Sequence, residues 1–140
     1  MKVFLDTNGW LSAVVFAGLC DDILVQSADR GWLISSELVR AEAHEVLQRK
    51  FPNQAAAIEL FDAVWQSASL VADVAKPASD SDERLIRAAV LAKCDYFITG
   101  DKRVLSCMQK AHNSLKLEHL RIAAPRDAWG ELFGSQPTVR

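Results

Sequence analysis

Four acidic positions in this chain have the types and placement to do chemistry together. Asp6 directly follows the apolar run "VFL", and Asp101 directly follows "YFITG". Asp82 and Glu83 open the helical pattern after "VADVA". Glu42 lies about one and a half turns into the helical pattern that follows "WLIS". Singly, each has an ordinary explanation. Asp6 and Asp101 suit caps or turns, Asp80 with Glu83 fits a D-x-x-E capping box, and first-turn acids complement the helix dipole. Glu42 fits least well, because it falls within the apolar stripe of Leu38, Val39 and Val46, towards one edge. A carboxylate on that side calls for a positive partner.

Carboxylates gathered at one point repel each other, or take up protons, unless a cation compensates. An all-oxygen set favours a hard ion, Mg²⁺ or Mn²⁺, over zinc. One or two such ions suit phosphodiester hydrolysis, by lowering the pKa of a water and neutralising transition-state charge. The other metal-binding residue types point nowhere. Cys20, Cys94 and Cys107 form no CxxC pair, and His44, His112 and His119 show no ligand spacing.

The acids need elements that carry them to one place. Strand-like runs "KVFL", "WLIS", "VADVA" (the weakest), "YFIT" and "LRIAA" alternate with helical patterns. The helices are expected over 8–16, "DDILVQSADRG", "SELVRAEAHEVLQRKF", "NQAAAIELFDAVWQSASL", "SDSDERLIRAAVLAK", "DKRVLSCMQKAH" and "PRDAWGELF". Ser36 is a candidate N-cap, Pro52 ends its helix and Pro125 opens the last one. This alternation implies an α/β fold, a three-layer α/β/α arrangement around a central parallel sheet of four to five strands. Ligands of open α/β sheets gather outside the carboxyl ends of the strands, where three of the acidic positions fall.

At 140 residues, 50% of them hydrophobic and 24% charged, the chain reads as one domain over 1–134 with a flexible tail over 135–140. No apolar run reaches membrane-spanning length and no leader pattern opens the chain, so the expected location is cytoplasmic. The formal net charge of −2 points to no class of partner. Lys102, Arg103, Lys110, Lys116, Arg121 and Arg126, against Glu118 alone, could form a phosphate-facing surface, although a solvated face is the simpler reading. Trp10 is read as core or interface in preference to a base-stacking residue. Trp32, Trp65 and Trp129 are read as packing residues.

The stretches "FLDTNGW", "SSELVRAEAHEVLQRKF", "SDSDERLIRAAVLAKCDYFITGDKRVL" and "RIAAPRDAW" together resemble the PIN-domain nucleases, from Met1 to about Leu132. The resemblance implies a catalytic and metal-binding set of Asp6, Glu42, Asp82 and Asp101. For the third position Glu83 is the alternative ligand by register with "LIRAA". It also implies support from Asn8 and Thr99 through hydrogen bonds to the first carboxylate or its water, and Mg²⁺ or Mn²⁺ as cofactor. Many relatives carry a further acid where this chain has Arg103. That leaves the number of metal ions open and places Arg103, with Lys102, on the side of substrate phosphate. Small single-domain relatives (the VapC type) are commonly toxins of type II toxin–antitoxin pairs. The resemblance thus implies an RNA substrate, a small antitoxin partner and a homodimer.

Other readings fit the residues less well. A receiver-like signalling module needs an acidic pair after the first strand, where Asp6 is followed by Thr7 and Asn8, and a phosphoacceptor aspartate where "WLIS" is followed by serine. A haloacid-dehalogenase-type phosphatase needs a second aspartate at Asn8. A PIN-like binding module without catalysis is the remaining alternative.

Overall fold

Three consecutive apolar residues define the centre of the molecule. Val3–Leu5 (β1) alternate between the faces of a sheet, yet all three are fully buried. Both faces are therefore covered, the situation of a parallel strand between helical layers. The computed structural model describes residues 1–16, 18–74, 81–106 and 119–134, with the side chain of Ser81 excepted. Within them β1 is followed by α1 (Thr7–Val15), α2 (Leu19–Asp29), β2 (Leu33–Ser35), α3 (Glu37–Lys50), α4 (Ala55–Trp65), β3 (Ser69–Leu70), α5 (Ser81–Leu91), β4 (Tyr96–Ile98), β5 (Arg121–Ala123) and α6 (Pro125–Phe133). A further helix starts at Lys102 and is described as far as Ser106.

The five strands form one all-parallel sheet in the order β3-β2-β1-β4-β5. Leu5 lies opposite Ile98, so the residues that leave these two strands, Asp6 and Thr99, emerge side by side. The chain builds outwards from β1 through β2 to β3, then returns to the other side of β1 for β4. The direction of winding therefore reverses between β1 and β4, and a ligand crevice is expected outside the carboxyl ends of those two strands.

The core is aromatic as well as aliphatic. Phe4 stacks on Phe97 across β1 and β4, with ring centroids 5.6 Å apart. Trp10 is fully buried and packs on Phe61 at 5.0 Å and Trp65 at 5.5 Å, which ties α1 to α4 and excludes Trp10 from stacking a base. Trp32 stacks on Phe133 beneath the Arg30 guanidinium and holds α6 against the turn before β2. Each fully buried large apolar side chain contributes roughly 1.5–3 kcal/mol. Among the described residues no single helix is long and apolar enough to cross a membrane.

One boundary differs from expectation. The fourth helix was expected to run to Leu70 and the third strand to follow as "VADVA". Instead α4 ends at Trp65, the amides of Ser67 and Ala68 turn back to Val64 and Trp65, and Ser69–Leu70 pair with Ile34 and Ser35. The ladder closes where the Val71 amide bonds to the Ser35 carbonyl. The expected continuation of the 102–106 helix, the Asp80 half of the capping box and the 135–140 tail lie outside the described residues.

Candidate active site

Asp6 is both a helix cap and the buried centre of a carboxylate group. Its extended backbone, φ −69° and ψ 172°, makes it the N-cap of α1, and Oδ1 accepts the Gly9 amide at 2.7 Å. Oδ2 accepts the Thr99 hydroxyl at 2.5 Å. The same hydroxyl oxygen accepts the Asp101 amide at 3.1 Å, so one buried threonine links the ends of β1 and β4. Asp6 is only 2% exposed, and burial is the main reason its pKa is pushed up from 3.8 to about 6. The Thr99 and Gly9 hydrogen bonds pull it back, while the charges of Asp82 and Asp101 push it higher.

Close approach of α1 to this carboxylate depends on Gly9. A Cβ there would lie 3.2 Å from Asp6 Oδ1 and 3.4 Å from the Leu5 side chain. Hydrogen bonds hold both Asp6 oxygens, so a methyl group at residue 9 would have to turn the carboxylate against them.

Asp101 begins the next turn. Its carboxylate accepts the Arg103 amide at 2.8 Å and the Arg103 guanidinium through Nε at 3.4 Å and Nη2 at 3.2 Å. These contacts hold its pKa below the usual carboxylate value. The Asp101 side chain is 14% exposed and that of Arg103 is 88% exposed, so the guanidinium covers the carboxylate from solvent. Lys102 is exposed beside it. The basic stretch expected over 102–126 does not make one surface among the described residues. Arg121 sits at the opposite, amino end of its strand and pairs with Glu131 at 2.9 Å. Lys110 and Lys116 lie outside the described residues.

Among the described residues no basic side chain pairs with Glu42. It is half-buried, and Oε1 accepts the Thr7 hydroxyl at 2.7 Å. A neutral donor at the first residue of α1 therefore ties α3 to the helix that Asp6 caps. Asp82 lies close enough for its charge to act on Asp6, whereas Glu83 is engaged by Arg87 one turn on, at 2.8 Å.

One expected support, Asn8, lines the cleft without touching the carboxylate, and one expected cap, Ser36, differs. Asn8 is exposed and, among the described residues, makes no hydrogen bond to Asp6. It occupies the second helical position, where its side chain points outwards while the next amide, that of Gly9, reaches the cap. Ser36 precedes α3 but forms no side-chain cap. Asp73, from the segment leaving β3, accepts the Leu38 amide at 3.0 Å in its place. Sequence reasoning passed over Thr7, Gly9 and Asp73. The run D-T-x-G carried a signal for the first two, a cap and its third-position amide, and nothing marked Asp73.

Beside Asp6 opens a cleft of about 200 Å³ lined by Asn8, Gly9, Ser12, Cys20, Gly100 and Asp101. Burial raises the Cys20 thiol pKa, and the Asp6 charge raises it further, so Cys20 lines the cleft as a neutral group. In donor type and charge, Asp6, Asp82 and Asp101 fit a hard divalent cation. Their oxygens suit it, and their mutual repulsion on a buried carboxylate is what it would relieve. Among the described residues, however, no three acidic, histidine or cysteine groups stand close enough to hold an ion as they are placed. Asp101 is turned to Arg103 and Glu42 to Thr7.

Comparison with known proteins agrees with this geometry. No curated protein and no solved structure matches the chain. A family model described as PIN domain matches residues 2–103, a span that carries β1 to β4 and includes Asp6, Glu42, Asp82, Thr99 and Asp101. With well over half of its length matched, the chain belongs to the PIN-domain family.

Proposed function

We propose that the protein is a metal-dependent endoribonuclease that hydrolyses RNA phosphodiester bonds at the carboxyl ends of β1 and β4. PIN domains are generally nucleases, and the fold is of that type. The observation that carries the finer reading is Asp6, a carboxylate at a topological switch point whose burial, with a smaller push from the charges of Asp82 and Asp101, raises its pKa to about 6. A fold keeps such a group charged at neutral pH at a cost in stability, and a bound cation offsets that cost.

Asp6, Asp82 and Asp101 would hold Mg²⁺ or Mn²⁺, with Glu42 nearby on α3. Bound there, the ion would lower the pKa of an attacking water and neutralise charge developing on the phosphoryl group. Thr99 keeps Asp6 oriented and ionised, and Gly9 lets the N-terminus of α1 contribute its amide to the same carboxylate. The cleft beside Asp101 is open to solvent at Asn8 and Gly100, and Lys102 and Arg103 stand at its rim to meet phosphate. In this reading the protein is the toxin of a type II toxin–antitoxin pair, acting as a homodimer and restrained by a small antitoxin protein.

The test is cleavage of an end-labelled single-stranded RNA with Mg²⁺, with Mn²⁺ and with EDTA, run beside Asp101→Asn. Cleavage that needs metal and is lost in the variant is expected. Cleavage that survives EDTA, or that persists in Asp101→Asn, would overturn the reading.

A further inference from the structure

The Arg103 guanidinium lies on a candidate ligand that lines the cleft, and these contacts follow from local geometry. Asp101 leaves β4 and caps the helix that begins at Lys102, so the Arg103 amide reaches Oδ1 at 2.8 Å. That same turn brings the Arg103 side chain back over the carboxylate, with Nη2 3.2 Å from Oδ2 and Nε 3.4 Å from Oδ1. The guanidinium therefore lies on Asp101, on the oxygens that a cation would need. Among the described residues Asp6, joined to Asp101 through the Thr99 hydroxyl, accepts from neutral donors, Thr99 and Gly9, against two like charges. Positive charge is thus supplied to the less deeply buried member of the pair and withheld from the more deeply buried one.

We propose that Arg103 is a displaceable counter-ion. A divalent cation that binds Asp6 and Asp101 expels the guanidinium from Asp101, and the freed guanidinium takes a substrate phosphate at the rim of the cleft. This inference rests on the metal-dependent reading of the site. An exposed ion pair is weak enough to exchange, since long side chains regain rotamer freedom when it opens and solvent screens it. Guanidinium also binds phosphate oxygens through the same two-pronged donor geometry it uses on a carboxylate, so little is lost when it changes partner. The exchange couples the two ligands. Metal makes Arg103 available to phosphate, and phosphate that holds Arg103 leaves Asp101 to the metal. By linkage the two effects are equal in size.

The experiment measures Mn²⁺ binding, by the loss of the free-ion paramagnetic resonance signal, in the unmodified protein and in Arg103→Ala, Arg103→Lys and Asp101→Asn. Arg103 is exposed, so its substitutions leave the core untouched. Arg103→Ala is expected to bind Mn²⁺ about threefold or more tightly than the unmodified chain. Arg103→Lys should fall between them, and Asp101→Asn should bind more weakly than all three. In parallel, a single-stranded 2′-O-methyl RNA oligomer, which resists hydrolysis, is titrated with and without Mn²⁺. Its affinity should rise with Mn²⁺ in the unmodified protein, and that rise should be smaller in Arg103→Ala. Equal or weaker Mn²⁺ binding by Arg103→Ala, or an undiminished rise in oligomer affinity, would overturn the exchange. Absence of Mn²⁺ binding in every variant would instead overturn the metal-dependent reading beneath it.

Discussion

The Thr99 hydroxyl donates to Asp6 Oδ2 at 2.5 Å, across the boundary between the two central strands and out of contact with solvent. The parallel register that sets Leu5 against Ile98 brings the next residue of each strand together. Sheet geometry thus produces a donor for a carboxylate that burial would otherwise neutralise. Thr99→Val keeps the shape and removes the donor. It should destabilise the protein by about 1.5–3 kcal/mol, the worth of a hydrogen bond to a charged group. It should also move the acid limb of the cleavage pH profile upwards, since that bond lowers the Asp6 pKa. Thr99→Ser should recover both, and a purely structural role would leave the acid limb in place.

Stability should depend on pH through Asp6 in an unusual direction. Its folded value of about 6 stands above its unfolded value of 3.8, so the folded state binds more protons between those values. The associated stability is full below about pH 4 and is lost as pH rises through 6, to about 3 kcal/mol at neutrality. Asp101 works in the opposite sense, because its value is lowered. The readout is therefore the difference between the unmodified chain and Asp6→Asn in urea unfolding from pH 4 to 7. The gap should move in favour of Asn by about 2.5 kcal/mol. Curves that run parallel would contradict it.

Glu42 offers a separation of structural from chemical roles. In Glu42→Gln the amide oxygen can still accept from Thr7, so the unfolding midpoint should move by less than about 0.5 kcal/mol. Metal-dependent cleavage should fall by about tenfold or more as the charge is lost. Unchanged cleavage would reduce Glu42 to a strut between α3 and α1.

Gly9→Ala tests the approach of α1 to Asp6. Alanine favours the helix by roughly 1 kcal/mol, which partly offsets the contact of its methyl group with Oδ1. The net change in stability should be small, while Mn²⁺ affinity drops because the carboxylate is turned. A variant with unaltered Mn²⁺ affinity would show that the space beside Oδ1 is not needed.

Much of this was legible in the sequence. The apolar run ending at Asp6 and the one ending at Thr99 give two parallel strands whose carboxyl ends carry acids, and period and punctuation alone reveal that. What the sequence hid were contacts between distant segments. Nothing near Glu42 announces Thr7 as its partner, because α1 and α3 meet only once the sheet has formed. The third strand was misplaced by two residues because Ser69–Leu70 are exposed at the edge of the sheet and carry none of the apolar signal of a buried strand. Arg103 was legible as a cation near the site, but its seat on Asp101 comes from a cap geometry that spacing does not display.

The measurement that bears most directly on the central claim is cleavage of single-stranded RNA against Mn²⁺ concentration by the unmodified protein and by Asp6→Asn, with thermal melting recorded for both. Cleavage that rises and saturates with Mn²⁺ in the first, and is lower by at least about a hundredfold in a folded Asp6→Asn, is the expected result. Equal cleavage by the two proteins would mean that Asp6 is a helix cap and nothing more, and that the hydrolytic centre is not at this strand end.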